Sequence, residues 1–343
     1  MRATVDRAGL DAHGRFSKVQ VRRIRKGDLS RSRDVLEQTF ADFLERQLGT
    51  RPRQAFGGAQ YVHHRWLMEP WGCFVGEDES GKIVGAALAV TWGSVGLLGP
   101  LAVLTNYQNQ KIGQQLIGAA QEFFDENKVT LQGAVTYPTS PKHLFLYHKF
   151  GYKPKSLTAI MSRVLDRGAG RAAFSKPPKA ALTLRRFSTL EEAKKKTTLP
   201  KLHRITNAIC RGMDLAKEVE IVDGLALGDT MLLERDRELI GMAIYHTPGV
   251  SEAPLGALYV KFLAIDPQQR RIEYLEQFVA MVEDLAHELG LPRVILPVYL
   301  GYWAAYSTLV RCGYQIDLAL VRLQKGKGEG YEDETHLVLD DWR

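Results

Sequence analysis

A short polar segment between two apolar ones offers the clearest chemistry in this chain. Its seven residues are Gln108, Asn109, Gln110, Lys111, Ile112, Gly113 and Gln114. They follow the apolar run Leu101–Leu104 and precede a stretch whose 3.6-residue period predicts a helix over 113–127. Such a turn leaves backbone N–H groups without partners at the start of the helix. With the helix dipole, these donors bind anions, usually phosphate. The pattern also fits an ordinary solvated turn with a capping glycine.

A tyrosine further along is the second candidate. Tyr147 stands four residues before the pair Gly151-Tyr152. Leu144, Tyr147 and Phe150 would share one face of a helix, and such a stripe is typical of core packing. The phenol by itself therefore does not indicate chemistry.

Both patterns belong to an internal repeat. Leu263-Ala264-Ile265 follows Leu101-Ala102-Val103 at the same distance along the chain as Gly313-Tyr314 follows Gly151-Tyr152. A spacing that stays constant over such a length indicates two copies of one unit, and strand and helix periods alternate along both. The sequence therefore predicts a mixed α/β fold built as two tandem domains.

The same periods predict the domain boundaries. We expect a flexible basic tail over 1–18, a first domain over 19–165, a linker over 166–180 and a second domain over 181–343. The linker segment is rich in Gly, Ala, Lys and Pro. A chain of 343 residues is long enough for two domains of ordinary size.

Composition narrows the class of protein. A hydrophobic content of 45% with 25% charged residues is typical of a soluble globular protein, and no apolar run approaches the roughly 20 residues of a membrane span. Three scattered cysteines have no metal-ligand spacing, which favours a reducing cytoplasm and no metal. The net charge of +7 is spread along the chain without a nucleic-acid motif, so it favours a polyphosphate ligand over nucleic acid.

The order and spacing of these features resemble the acyl-CoA-binding half of the GNAT superfamily of N-acetyltransferases. The family's turn reads Arg/Gln-x-x-Gly-x-Gly/Ala, and here it reads Gln108-x-x-Lys111-x-Gly113. Its later helix commonly carries Tyr-x-x-x-Gly-Phe/Tyr, which Tyr147 begins here. The resemblance covers the first predicted domain well and the second more faintly. It implies two tandem GNAT-like domains, acetyl-CoA as cosubstrate, an amine-bearing acceptor and no metal.

The resemblance also implies a role for each matching residue. Pantetheine would insert like an added strand beside a bulge, bound by the backbone of Leu101, Ala102 and Val103, which would also polarise the thioester carbonyl. The N–H groups from Gln108 to Gln114 would hold the pyrophosphate. Tyr147 would protonate the departing thiolate, a role open to a phenol with an ordinary pKa of about 10.

Lys111 departs from the family pattern, which has glycine there. A side chain strains the turn if φ must be positive, whereas an ammonium group beside the pyrophosphate adds attraction. We expect the substitution to be tolerated.

The attacking amine must be neutral, and an alkylamine has a pKa of about 10.4, so a base or a water relay is expected. The strand over 96–104 contains no acid. The candidates by residue type are His143, Glu77, His63 and His64. The aromatic-rich segment 56–71 lies where the family shapes its acceptor pocket, and it fits a pure core role equally well.

The second copy lacks the matching residues. Leu275 and Leu309 stand at the positions of Gly113 and Tyr147, and Glu273 adds negative charge where phosphate would bind. Tyr306 is one helical turn earlier and could substitute only in part, so we expect the second copy to be structural.

Two functions remain open. The sequence predicts a cytoplasmic N-acetyltransferase, monomeric or homodimeric, that transfers an acetyl group from acetyl-CoA to a primary amine. The alternative is a non-catalytic acyl-CoA-binding sensor or partner-binding protein.

Overall fold

The computed structural model describes residues 18–51, 57–165, 182–327 and 331–343. The chain forms two compact units, Met1–Thr91 with Leu97–Val129, and Trp92–Gly96 with Thr130–Arg343. The predicted linker and nearly all of the predicted tail lie outside the described residues. The division into domains at 19–165 and 181–343 follows the two copies of the repeat and stays a prediction.

The first unit contains an antiparallel sheet and three helices. Its strands are β1 (Val19–Arg23), β2 (Cys73–Asp78), β3 (Ile83–Trp92) and β4 (Val95–Val103); its helices are α1 (Leu29–Leu48), α2 (Tyr61–Met68) and α3 (Ile112–Glu126). The last residue of β3 and the first two of β4 belong to the second unit. Strand β2 pairs antiparallel with both β1 and β3.

Glycines in the sheet let α3 begin close to it. A Cβ on Gly76 would lie 3.2 Å from the Cγ2 of Ile112, and one on Gly85 would lie 3.4 Å from the same atom. Ile112, Leu116 and Phe124 bury the apolar face of α3, so hydrophobic packing fixes the helix and the direction of its first turn.

The second unit contains nine whole strands and five helices among the described residues. They are β5 (Leu131–Thr136), α4 (Pro141–Lys149), β6 (Lys153–Val164), β7 (Leu182–Arg186), α5 (Glu192–Ile209), α6 (Ala216–Gly224), β8 (Gly228–Arg235), β9 (Glu238–His246), β10 (Ala257–Ile265), α7 (Ile272–Glu288), β11 (Arg293–Tyr299), α8 (Trp303–Arg311), β12 (Gln315–Gly326) and β13 (Val338–Asp340). The strand order is β5-β12-β6-β11-β10-β9-β8-β7, and β13 pairs with β10.

The sixth strand of each copy pairs with the fifth strand of the other copy. Strand β12 runs antiparallel to β5, with Val321 opposite Thr136, and β6 runs antiparallel to β11, with Val164 opposite Arg293. The two exchanged strands also pair with each other. Each copy therefore depends on the other to complete its sheet.

The repeat predicted from the sequence recurs in the elements. β4 begins at Val95 and β10 at Ala257, which is the spacing of the sequence repeat. The starts of β11, α8 and β12 follow those of β5, α4 and β6 at this same spacing. Helix α7 begins slightly earlier relative to α3 than the spacing predicts. The predicted α/β class with two tandem copies is confirmed.

Candidate functional site

The turn after β4 is tied back to the end of that strand. The side-chain amide of Gln108 donates to the carbonyl of Val103 (3.0 Å), and the hydroxyl of Tyr107 donates to the carboxylate of Asp78 (2.9 Å). Thr105 donates to Asp42 of α1 (2.9 Å). These bonds fix a segment that would otherwise be free to move, so its backbone groups are held in place before any ligand arrives.

Two residues of this turn have left-handed backbone conformations. Lys111 has φ 64° and ψ 6°, and Asn109 has φ 66°. Because a Cβ disfavours this region by about 1–2 kcal/mol, the turn stores strain at Lys111. Asparagine tolerates the region better. The positive φ explains why the GNAT pattern has glycine at the position of Lys111.

The amino end of α3 presents unpaired N–H groups. The first backbone bond of the helix runs from the N–H of Gln115 to the carbonyl of Lys111 (3.1 Å), so the N–H groups of Ile112, Gly113 and Gln114 have no acceptor within it. No side chain caps this end, and its first turn contains no acidic residue. An anion there would meet three donors and the positive end of the helix dipole.

The base candidates in the first unit have other contacts. The guanidinium of Arg22 donates to Glu77, and this hydrogen bond is the main reason that the pKa of Glu77 is lowered. A carboxylate held ionised in this way is a weak proton acceptor. His63 contacts the side chain of Gln60 through Nδ1 (2.9 Å), and His64 is buried.

Sequence reasoning missed one carboxylate, Glu69. It follows α2 and accepts a hydrogen bond from the hydroxyl of Thr91 on β3 (2.5 Å). Glu69 is the one acidic residue of the segment 56–71. Its position in the segment expected to shape the acceptor pocket was the signal that could have identified it.

Tyr147 lies in the second unit, where α4 ends. It is buried, and its ring packs edge-on against Tyr152 at 5.6 Å between centroids. Its carbonyl accepts from the N–H groups of Phe150 (3.0 Å) and Tyr152 (3.2 Å), while Gly151 has φ 84°. This left-handed glycine cap ends the helix and fixes the direction of its last turn. His143 lies half-buried on the same helix.

Burial raises the pKa of the Tyr147 phenol well above its ordinary value. Removing the phenolate from water disfavours the charged form, so the hydroxyl keeps its proton at any pH at which the protein works. Tyr147 is therefore a hydrogen-bond donor that does not ionise on its own.

The second copy keeps the geometry and lacks the functional groups. The N–H of Tyr314 donates to the carbonyl of Leu309 (3.0 Å), and Gly313 has φ 84°, as in the first copy. Leu309 is buried and carries no proton to donate. Tyr306, one turn earlier, packs against the ring of Trp303 at 5.6 Å.

The start of α7 also differs from the start of α3. Glu273 lies in the first turn, and Arg271 contacts its carboxylate at 3.7 Å. Leu275 is fully buried in the core. A carboxylate at this end competes with any anionic ligand for the helix dipole.

The described part of the chain offers neither a metal site nor a membrane-spanning helix. No cluster of three or more His, Cys, Asp or Glu side chains there could hold a metal ion. None of its helices combines the length and the apolar character needed to cross a bilayer.

Comparisons with known proteins agree with this architecture. The family model described as an acetyltransferase (GNAT) domain matches residues 69–154. A search of curated protein sequences finds no significant match.

Solved structures match nearly the whole chain. A protein from Pyrococcus horikoshii, described as an acetyltransferase, has a TM-score of 0.63 at 13% identity, and the match covers 96% of both chains. A GCN5-related N-acetyltransferase from Sphaerobacter thermophilus has a TM-score of 0.59 at 12% identity, covering 90% of this chain and 95% of that one. A tandem GNAT protein from the clavulanic acid biosynthesis pathway has a TM-score of 0.57 at 12% identity, covering 90% and 98%.

At these identities the solved structures show the fold, and the family model adds the GNAT match to the segment that contains α3 and Tyr147. Residues 69–154 therefore match the GNAT acetyltransferase family, and the fold of the chain is that of two tandem GNAT domains.

Proposed function

We propose that the first copy transfers an acetyl group from acetyl-CoA to a primary amine. The observation that carries the proposal is the amino end of α3, with three N–H groups lacking helical acceptors, no acid in its first turn and Lys111 at its N-cap. These features favour a bound pyrophosphate. The family match over 69–154 includes this helix and supports an acyl-CoA as the ligand.

The reaction needs four contributions from the chain. The N–H groups between Gln108 and Gln114 hold the pyrophosphate, and the backbone of Leu101, Ala102 and Val103 binds pantetheine and stabilises the developing oxyanion. The neutral amine attacks the thioester carbonyl, the C–S bond breaks, and the new amide forms. The attacking nitrogen gives up its proton to a base or to water, and the leaving sulfur takes the proton of Tyr147. The phenolate formed at Tyr147 then takes a proton back from solvent.

The raised pKa of Tyr147 affects how it acts. A phenol with a high pKa releases its proton only to a group of similar basicity. A thiolate forming inside a closed site is itself poorly solvated and therefore more basic than in water. Tyr147 thus donates a hydrogen bond early and transfers its proton as the C–S bond breaks.

A second function is favoured by the contacts of the base candidates. Glu77 is ion-paired with Arg22, and His64 is buried. A chain that binds acyl-CoA without an available base would act as a sensor.

A thiol-release assay separates the two functions. Acetyl-CoA is incubated with the protein and a panel of alkylamines, amino acids, aminoglycosides and peptides with free N-termini, with Tyr147→Phe as the matched control. Amine-dependent release that the variant lacks supports acetyl transfer. Acetyl-CoA binding without release for any amine contradicts it and supports the sensor.

A further inference from the structure

Strand β10 changes its neighbour halfway along. Over Ala257–Tyr259 it pairs in parallel with β11, and over Phe262–Ala264 it pairs antiparallel with β13. Its register against β9 shifts between Val260 and Phe262, which marks a bulge at Lys261. A bulge bends a strand. Strand β13 packs against both β10 and β11 and therefore fills the opening where they part.

This opening lies where the repeat predicts a pantetheine cleft. In the register of the repeat, Leu263–Ile265 corresponds to Leu101–Val103. The N–H of Ile265 donates to the carbonyl of Leu337 (3.1 Å), and the N–H of Asp341 donates to the carbonyl of Lys261 (3.0 Å). Hydrogen-bonded pairs alternate along an antiparallel ladder. Leu263 and Leu339, which lie opposite each other, are therefore the hydrogen-bonded pair between these two.

Buried side chains hold β13 in place. Arg322 and Asp340 form an ion pair at 2.7 Å with no exposed side-chain surface on either partner. The hydroxyl of Tyr331 donates to the same carboxylate (2.7 Å). The guanidinium of Arg322 lies 3.8 Å from the ring centre of Trp342. Withdrawal of the strand would leave a buried guanidinium without its partner, at high cost in free energy.

The bulge adds a second attachment. The ammonium of Lys261 donates to the carbonyl of Arg343 (2.7 Å) and contacts Glu252 at 3.2 Å. Asp341 accepts from the hydroxyl of Tyr259 and from Arg343. Residues 336–342 are buried throughout, so this segment is part of the core of its unit.

We infer that the cleft of the second copy is a strand-binding site whose occupant is the segment 337–341 of this same chain. The peptide strand takes the backbone bonds that the first copy offers to pantetheine. The protein therefore holds one acyl-CoA per chain. The comparison with pantetheine rests on the proposed function, whereas the position of β13 rests only on its pairing with β10 in the second copy.

Hydrogen–deuterium exchange of the full chain, with and without acetyl-CoA, tests the inference. We expect the amides of Leu263 and Ile265 on β10, and those of Leu339 and Asp341 opposite them, to exchange slowly in both states, with rates equal within about twofold. The amides of 101–103 should slow only when acetyl-CoA is present. Fast exchange at Leu263 and Ile265 in the free protein, or slowing there on addition of acetyl-CoA, would overturn the inference. Unchanged exchange at 101–103 beside protected amides at Leu263 and Ile265 contradicts the proposed function instead.

A variant probes the ladder directly. Leu339→Pro removes the N–H that pairs with Leu263, so exchange at Leu263 and Ile265, whose amides face β13, should accelerate at least about tenfold, while acetyl-CoA affinity stays within about twofold. Leu339→Val keeps the N–H and most of the apolar volume and is the matched control. Unchanged exchange at Leu263 and Ile265 in folded Leu339→Pro overturns the inference. If this variant does not fold, the exchange pattern of the wild-type chain decides alone.

Discussion

The amino ends of α3 and α7 occupy the same place in two copies of one repeat, yet their chemistry is opposite. The first has Lys111 at its N-cap and no acid in its first turn. The second has Glu273 in its first turn and the buried Leu275 two residues later. Both helices keep their apolar faces buried against a sheet. This difference indicates that core packing maintains the fold in both copies, whereas a few residues at the ends of helices determine whether a ligand-binding site can form.

The ends of α4 and α8 give the same lesson. Tyr147 and Leu309 are both buried, and both helices end at a glycine with φ 84°. The scaffold therefore positions this side chain in the same way in each copy. Tyr147 carries a hydroxyl that Leu309 lacks, and the proposed proton transfer depends on that hydroxyl.

The largest expected difference between the two copies is the loss of turnover when Tyr147 is changed. Tyr147→Phe removes only the hydroxyl, so kcat should fall by about 10²–10⁴ if the phenol protonates the thiolate. The KM for acetyl-CoA should change far less, because the hydroxyl acts mainly in the transition state. Steady-state kinetics with the acceptor found in the amine panel measures both constants.

Tyr152→Phe is the control for this loss. Its hydroxyl donates to Gln132 (3.3 Å), and its ring packs against Tyr147. It should cost about 1 kcal/mol of stability and leave kcat unchanged. Full turnover in Tyr147→Phe, measured where chemistry limits the rate, would assign the proton donor elsewhere.

The next effect concerns the pyrophosphate. Gly113→Leu places a bulky side chain in the first turn of α3, and we expect acetyl-CoA affinity to fall at least about tenfold with a smaller change in stability. Leu275→Ala should do the reverse, costing about 2–5 kcal/mol of stability without changing affinity. Calorimetric titration and thermal unfolding of both variants compare the copies. A collapse in Tm with retained affinity in Gly113→Leu would mean that this glycine is structural.

A third prediction concerns the turns that precede the first helix of each copy. Asp28 is buried between Arg22 and Arg31, at 2.6 Å from each, and the hydrogen bond from Arg22 lowers its pKa to about 2. Because the folded pKa lies below the ordinary value of 3.8, the ionised form stabilises the fold above about pH 4. Between about pH 4 and pH 2, about 2 kcal/mol of this stability should be lost.

Chemical denaturation at several pH values measures that loss, and Asp28→Asn should remove the contribution of Asp28 between about pH 4 and pH 2. The step that remains includes Asp333, whose pKa is lowered to about 2, mainly by the hydrogen bond from the hydroxyl of Thr335. In the second copy, the N–H of Ser188 donates to Asp229 (3.0 Å) after β7. Ser188→Ala should lower stability and leave the acid step in place. An unchanged acid step in Asp28→Asn would assign it to another carboxylate.

The smallest expected effect separates charge from strain in the turn before α3. Lys111→Gly should raise stability by up to about 1 kcal/mol by relieving the left-handed strain, and weaken acetyl-CoA binding about threefold through the lost charge. Asn109→Gly changes a second left-handed residue without removing charge, so it should leave affinity unchanged. Equal affinity in wild type and Lys111→Gly would show that the ammonium does not contact the ligand.

The repeat and its α/β class could be predicted because hydrophobic period and spacing are local properties of the sequence. The strand exchange could not, because β5 and β11 have similar apolar patterns and either could pair with β12. Backbone hydrogen bonds between strands do not depend on side-chain identity, so only the packed structure shows whether β12 pairs with β5 or with β11. Helix α6 was also missed. Its buried face includes Glu218, which accepts a hydrogen bond from the indole of Trp92 (3.3 Å). Because an acidic residue takes a buried position, the helical spacing of apolar residues cannot be recognised in the sequence.

Some features of the candidate site could likewise be predicted from the sequence, and others could not. The motif pattern was enough to indicate Gly113 and Tyr147, whose roles remain proposals. The left-handed φ of Lys111 follows from the path of the chain after β4. The position of β13 depends on the ion pair of Asp340 with Arg322, eighteen residues earlier. A strand of three residues is too short for its hydrophobic pattern to predict which strand it pairs with.

The stoichiometry of acetyl-CoA binding tests the central claim most directly. Calorimetric titration of the full chain should give one acetyl-CoA per chain, because the second copy has Glu273 in the first turn of its helix and β13 paired along the strand end that corresponds to Leu101–Val103. Two bound molecules per chain, or one that Gly113→Leu leaves at full affinity, would contradict the account.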